Sequence, residues 1–157
     1  MIISLKEMQL NFPEYKFHLQ KSDRKTMIFD IVRKKFVALT PEEWVRQHVL
    51  HFLVGEKKVP ATLIGVESAI KLFNTMKRFD IAVFDRNGRA MLVVECKAPT
   101  VALTQDVLDQ VIRYNMALQV NYLMLTNGLT HLFCKADQDS GNIRIIEDLP
   151  DFSNLSS

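Results

Sequence analysis

Cysteine is scarce in this chain. Cys96 and Cys134 lie far apart and form no CxxC pair. That argues against a disulfide scaffold or a cysteine zinc site, and it fits a reducing compartment. No apolar run approaches the ~18 residues of a membrane span, so no membrane partner is expected. The start, MIISLKEMQL, lacks the basic flank and long apolar core of a signal peptide. A cytoplasmic, soluble protein is the expectation. No GxxxxGK(S/T) phosphate loop occurs, which excludes ATP hydrolysis by that route. There is no internal repeat and no low-complexity segment. Charge of one sign does not dominate either: the formal net charge is +2, so overall charge says little about partners.

What is present is enough for one domain with a sizeable core, at 157 residues. The cations cluster at Lys21, Arg24 and Lys25, at Arg33, Lys34 and Lys35, and at Lys57 and Lys58. Such clusters suit phosphate contacts, and equally suit a solvated surface.

Residues 1–40 read as a β extension. KFHLQ (16–20) and KTMIFDIVRKKFVAL (25–39) favour strands, and the second has a bend signal at 33–35. Thr40-Pro41 then opens a helix, with Glu43 at the third position of a capping box. The helix is expected to reach Val54 and stop at Gly55. Its apolar stripe is Val45, Val49, Phe52 and Leu53. Glu42 projects into the middle of that stripe, toward a sheet, and Glu43 lies off it; equally, both suit plain capping and dipole roles at the helix start. His48 and His51 are three apart, but no Cys or third His supports a metal there.

Residues 60–73 read as a strand in which Val66, Ser68 and Ile70 alternate against Glu67, Ala69 and Lys71. Glu67 suits a further metal ligand or an ordinary charge at the sheet surface. A second helix spans 104–119, capped by Thr104, with Val107, Leu108, Val111, Ile112 and Leu118 on its apolar face. Gln110 and Tyr114 stack on one side of it. A strand at 121–126, an Asn127-Gly128 turn, a returning strand and a short edge strand at 143–146 follow. The tail 147–157 is expected to fray. The class is thus α/β: a core over 41–146 with a mixed central sheet flanked by helices.

The centre of the chain is RFDIAVFDRNGRAMLVVECKAP, residues 78–99. It reads as two strands, apolar on both faces, joined by Asn87-Gly88, a strong signal for a type I′ turn. With those two residues as the loop, Arg86 faces Arg89 and Asp80 falls opposite Glu95. Opposed residues point to one face, with Cβ atoms roughly 4.5–5.5 Å apart. Lys97 shares that face, two residues beyond Glu95. Like charges so placed are destabilising. A divalent cation is the natural compensation, and hard carboxylate oxygens select Mg²⁺ or Mn²⁺. That set suits hydrolysis of a phosphodiester. Taken alone, an ExK is as often a surface ion pair.

Asp80…Glu95-Cys96-Lys97 resembles the signature of the PD-(D/E)xK nuclease superfamily, and the element order resembles its restriction-endonuclease-like core. VRKKFVALTPEEWVRQ (32–47), KRFDIAVFD, VVECKAP, QVIRYN and LMLTNGLTHLF resemble, more narrowly, the amino-terminal nuclease domain of type I restriction enzyme R subunits. The resemblance implies that Asp80 and Glu95 are metal ligands, joined by the Cys96 carbonyl, and that Lys97 is the catalytic lysine. It implies that Gln110 and Tyr114 position active-site groups or nucleic acid near the site, and that Glu42 or Glu43 adds a helix glutamate. Arg78 is a further candidate for a nucleic-acid contact. Phe79 stands where the nominal proline is expected. An R subunit continues into a motor, which needs a phosphate loop this chain lacks. The expected partners are DNA, with RNA undecided, and a second copy or separately encoded subunits. The competing expectation is a catalytically silent module of the same fold that binds nucleic acid or a partner.

Overall fold

The computed structural model describes residues 8–72 and 74–156. Three short strands come first: β1 (Leu19–Ser22), β2 (Lys25–Asp30) and β3 (Lys35–Ala38), an antiparallel meander in the order β1-β2-β3. The expected bend near 33–35 is a turn over 31–34. Asp30 builds it by accepting from the Val32 and Arg33 N–H groups at 2.8 and 2.7 Å.

Helix α1 (Pro41–Gly55) begins as the sequence predicts, with Thr40 Oγ1 accepting from the Glu43 N–H at 3.0 Å. A single 3₁₀ turn (Ala61–Leu63) replaces the expected start of the next strand. The main sheet then runs β4 (Ile64–Leu72), β5 (Thr75–Phe84), β6 (Ala90–Cys96), β7 (Tyr122–Thr126), β8 (His131–Ala136) and β9 (Ile143–Ile146) in spatial as well as chain order. All neighbours are antiparallel except β6 and β7. A parallel pair needs a long crossover rather than a tight turn, and α2 (Gln105–Leu118) supplies it.

The sheet is buried on both faces. On one, Val45, Val49 and Leu53 of α1 meet Ile81, Val83, Leu92, Val94 and Met124. On the other, Val111 of α2 meets Phe79, Ala82, Val93, Leu123 and Leu125. Leu118, expected on the apolar face of α2, has its side chain outside the described set. Leu10 and Ile28 join the α1-side core, so the amino-terminal extension packs on the same helix.

The tail is not frayed. Leu149 and Leu155 are buried in the α1-side core, Leu155 at 1 % exposure. Phe152 N–H donates to the Lys57 carbonyl at 2.8 Å, and Asn121 Nδ2 donates to the Leu155 carbonyl at 3.0 Å. Two leucines spaced six apart in a polar segment carry no helix or strand period, so the sequence does not announce this docking.

Two neighbouring strands break their alternation at the same level. On β5, Phe79 packs toward α2, yet Ile81 packs toward α1. On β4, Val66 packs toward α1 and Ile70 toward α2. In a regular strand each pair would share a face. The crossing points are Asp80 and Glu67, and Glu67 has φ 53°, a left-handed backbone rare for a residue with a side chain. The simple alternation expected for 66–71 therefore fails at Glu67.

Candidate active site

The central hairpin reaches the expected register by an unexpected route. Its loop has three residues, not two: Asp85 N–H donates to Arg89 O at 2.8 Å, and Gly88 takes the left-handed conformation at φ 84°. Phe84 consequently pairs with Ala90. Val83 then pairs with Leu92, so Met91 is an extra residue, a β-bulge. The longer loop shifts the strands by one, and the bulge shifts them back. The pairs Val83–Leu92, Ala82–Val93 and Ile81–Val94 are those of the two-residue loop. One step further, Asp80 is level with Glu95.

Asp80 sits where β5 changes face, and its carboxylate enters the gap between strands. Oδ2 accepts from the Cys96 N–H at 2.7 Å. Oδ1 lies 3.5 Å from Nη2 of Arg46 on α1. Burial pushes the Asp80 carboxyl up, against the pull of the Cys96 N–H and the cations Arg46, Lys97 and Lys77. Glu95 is pushed further, to about 7, first by burial and then by the Asp80 charge. Lys77 and Lys97 oppose that rise. Glu95 Oε1 is buried and has no hydrogen-bond partner among the described residues. Lys97 follows at the strand end, where its N–H extends the parallel ladder to Thr126 O at 2.8 Å. The Cys96 thiol is buried, and burial raises its pKa further from ionisation.

Arg46 is the residue that sequence reasoning missed. Its side chain is 7 % exposed and lies among four carboxylates: Glu67 at 3.4 Å, Asp80 and Glu42 at 3.5 Å, and Glu43 at 3.6 Å. The available signal was its spacing, three and four residues after Glu43 and Glu42 on one helix.

The expected orientation of the two helix glutamates is reversed. Glu43 is the buried one, its side chain 11 % exposed, and it accepts from Arg33 Nη2 and Gln47 Nε2 at 3.1 Å each. Glu42 is 46 % exposed at the rim, tied to Arg46. A helix wheel accounts for one buried face only. The β1–β3 sheet covers a second face of α1, so the polar side of the helix is buried too. Asp30 seals that side, fully buried and bonded to Gln47 Nε2 and Arg33 Nε at 2.9 and 2.7 Å.

Glu67 is level with Asp80 in the β4–β5 register, half exposed and paired with Arg46. Gln110 is exposed on α2, its Nε2 3.3 Å from the Tyr114 hydroxyl. Tyr114 reaches the acid pair through a second missed residue, Lys77, whose ammonium lies 4.8 Å from the Tyr114 ring centroid and 5.7 Å from that of Phe79. Arg78 points to solvent. The two α1 histidines stay apart from this site. His48 is buried among Phe17 and Trp44, with Nδ1 2.8 Å from the Trp44 carbonyl.

The donor set fits a hard divalent cation through two carboxylates. The unpartnered Glu95 oxygen is what such an ion would take, and Glu95 and Asp80 are both held above the usual carboxylate range by burial. Among the described residues, no three His, Cys, Asp or Glu side chains gather as a ligand cage. Any cation here rests on two side chains completed by backbone or water.

A model of the family described as "Type I restriction enzyme R protein N terminus" matches residues 41–150, well over half the chain. The chain belongs to that family. No curated protein matches it. A solved fragment described as an HsdR subunit of a type I restriction enzyme from Vibrio vulnificus YJ016 shares the fold. Its TM-score is 0.51 and its identity 19 %, over 75 % of this chain and 25 % of that one. The chain thus spans about a quarter of that solved chain. The family is the one the hairpin and helix motifs resembled. No described helix is long and apolar enough to cross a membrane.

Proposed function

We propose that this chain is a metal-dependent deoxyribonuclease domain. The observation that carries the reading is the buried acid pair: Asp80 level with Glu95, one Glu95 oxygen without a partner among the described residues. Burying an unsatisfied carboxylate is costly, and family membership offers a reason to retain it. A divalent cation, Mg²⁺ or Mn²⁺, would stabilise charge on the phosphate oxygens and make water a better nucleophile. Asp80 and Glu95 hold it, with the Cys96 carbonyl as a further donor. Asp80 is positioned for this by the Cys96 N–H. Lys97 orients the attacking water and shields the phosphate charge. Gln110 and Tyr114, with Lys77, flank the acid pair on the α2 side. The substrate is DNA, and separately encoded subunits of a restriction system are the partners this family suggests.

A second reading has its own support. Both Asp80 oxygens already have protein partners, Cys96 N–H and Arg46. Such a self-satisfied acid suits a silent module that only binds nucleic acid or a partner.

The test is incubation with supercoiled plasmid and Mg²⁺ or Mn²⁺. The nuclease reading expects nicking or linearisation, reduced about 100-fold or more in Lys97→Ala and Asp80→Ala. Cleavage that survives both substitutions would sink it. No cleavage, with no Mn²⁺ uptake that depends on Glu95, favours the silent module.

A further inference from the structure

β4 and β5 overrun the rest of the sheet. β6 ends at Cys96, level with Phe79, so β5 runs on past it through Met76 to Arg78. With β4 these residues form a two-stranded arm beyond the acid pair, in the register Ala69–Arg78, Ile70–Lys77 and Lys71–Met76.

The two faces of the arm differ. Directly paired residues share a face and successive residues alternate. Ser68, Ile70, Lys77 and Phe79 therefore form one face, which is partly or fully buried and closes on Tyr114 of α2. Ala69, Lys71, Met76 and Arg78 form the other, and all four are exposed, Met76 at 62 %. Ile145 is as exposed elsewhere, at 63 %, so the charge of this face rather than Met76 sets it apart. Between Glu67 and Asp80 the chain has three cations and no acid. Among the described residues, neither Lys71 nor Arg78 has a carboxylate within ion-pair distance. Lys71 and Arg78 are diagonal neighbours, roughly 7–8 Å apart at the backbone, far enough to reach separate phosphates.

We propose that the open face of this arm grips the substrate: Lys71 and Arg78 hold phosphates of the DNA strand next to the scissile bond, and Met76 rests against its groove. This rests on the nuclease reading and adds where the DNA lies. It approaches from the β4–β5 tip, along a face without acids, and reaches the acid pair at the root of the arm.

The test compares two charge reversals of equal size. Lys71→Glu with Arg78→Glu alters the arm, and Lys21→Glu with Arg24→Glu alters the exposed β1–β2 end of the other sheet. Thermal melts check that both variants fold, as expected for exposed positions. Affinity for a labelled duplex oligonucleotide is read by anisotropy in EDTA over a range of salt. The grip expects at least a tenfold loss for the arm variant and a salt slope shallower by about 2, near 0.9 per phosphate contact. The control should lose less than twofold. Equal losses in both variants, or none in the arm variant, overturn the grip. Plasmid cleavage separates the two ideas. An unsubstituted chain that neither binds nor cuts DNA takes the nuclease reading down. A chain that cuts, with KM unmoved by the arm reversal, takes down the grip alone.

Discussion

Nη2 of Arg46 lies 3.5 Å from Oδ1 of Asp80, so an arginine from the first helix neutralises the first acid of the hairpin. Nη1 reaches Glu67 and Glu43 as well. The guanidinium is the internal counter-ion of the whole site. Burial works against its charge, but Glu43, Asp80 and Glu67 outweigh that and hold its proton more firmly. Removing one partner of a buried ion pair leaves charge uncompensated and costs about 3–5 kcal/mol. Arg46→Met should therefore destabilise the metal-free protein by roughly that amount. Mn²⁺ should recover more stability in the variant than in the unsubstituted chain, because it replaces the missing charge. Urea melts with and without Mn²⁺ measure both effects. Equal Mn²⁺ responses would mean that Arg46 and the ion do not share the carboxylates.

Glu95 sets a pH dependence of defined sign. Its carboxyl titrates near 7 when folded, against an ordinary value of 4.5. Between those values the folded chain binds more protons than the unfolded one. Stability therefore falls as pH rises through that window, by an amount on the order of 3 kcal/mol for a shift of this size. Glu95→Gln should remove this slope and make the metal-free protein more stable at pH 8. Mn²⁺ affinity should rise over the same window, since the ion binds the ionised pair. Denaturation at pH 5, 6, 7 and 8, paired with calorimetric Mn²⁺ titration, checks both directions.

The two helix glutamates should separate cleanly. Glu43→Ala removes a buried acceptor from Arg33 and Gln47 and should cost about 1–3 kcal/mol. Glu42→Ala, half exposed, should cost about 1 kcal/mol or less. Thermal denaturation of the pair decides the matter. The reverse order would restore the orientation drawn from the helix wheel.

The tail supplies a fourth expectation. Leu155→Ala empties a fully buried position and should cost about 2–5 kcal/mol. Leu155 is far from the acid pair in the chain, so plasmid cleavage at low temperature should persist. Loss of cleavage without loss of stability would point to a functional role for the tail.

Much of this was legible before the structure. The Asn-Gly signals, the Thr40 cap and the alternating apolar runs are local chemistry, and they mark the turns, the helices and most strands; the level of Asp80 with Glu95 matches the expectation only because the Met91 bulge offsets the longer loop. What was missed depends on contacts between distant segments. Glu43 is buried because β1–β3 lies over α1, and no periodicity within the helix records that. Arg46 and Lys77 matter through groups on other strands and helices. The change of face at Asp80 and Glu67 is a backbone departure shared by two strands, and alternation read along either one hides it.

The bulge at Met91 has a consequence for chain length. The residues on either side of it, Ala90 and Leu92, already pair with consecutive positions on β5. Deleting Met91 would close the bulge and leave every other pair in place, Asp80 with Glu95 included, at the expense of one buried side chain. Deleting Val93, two positions on, would pull Glu95 level with Ile81. The strand therefore holds its slack at one point. There the hairpin can lose a residue and keep its acids together, and two steps nearer the site it cannot.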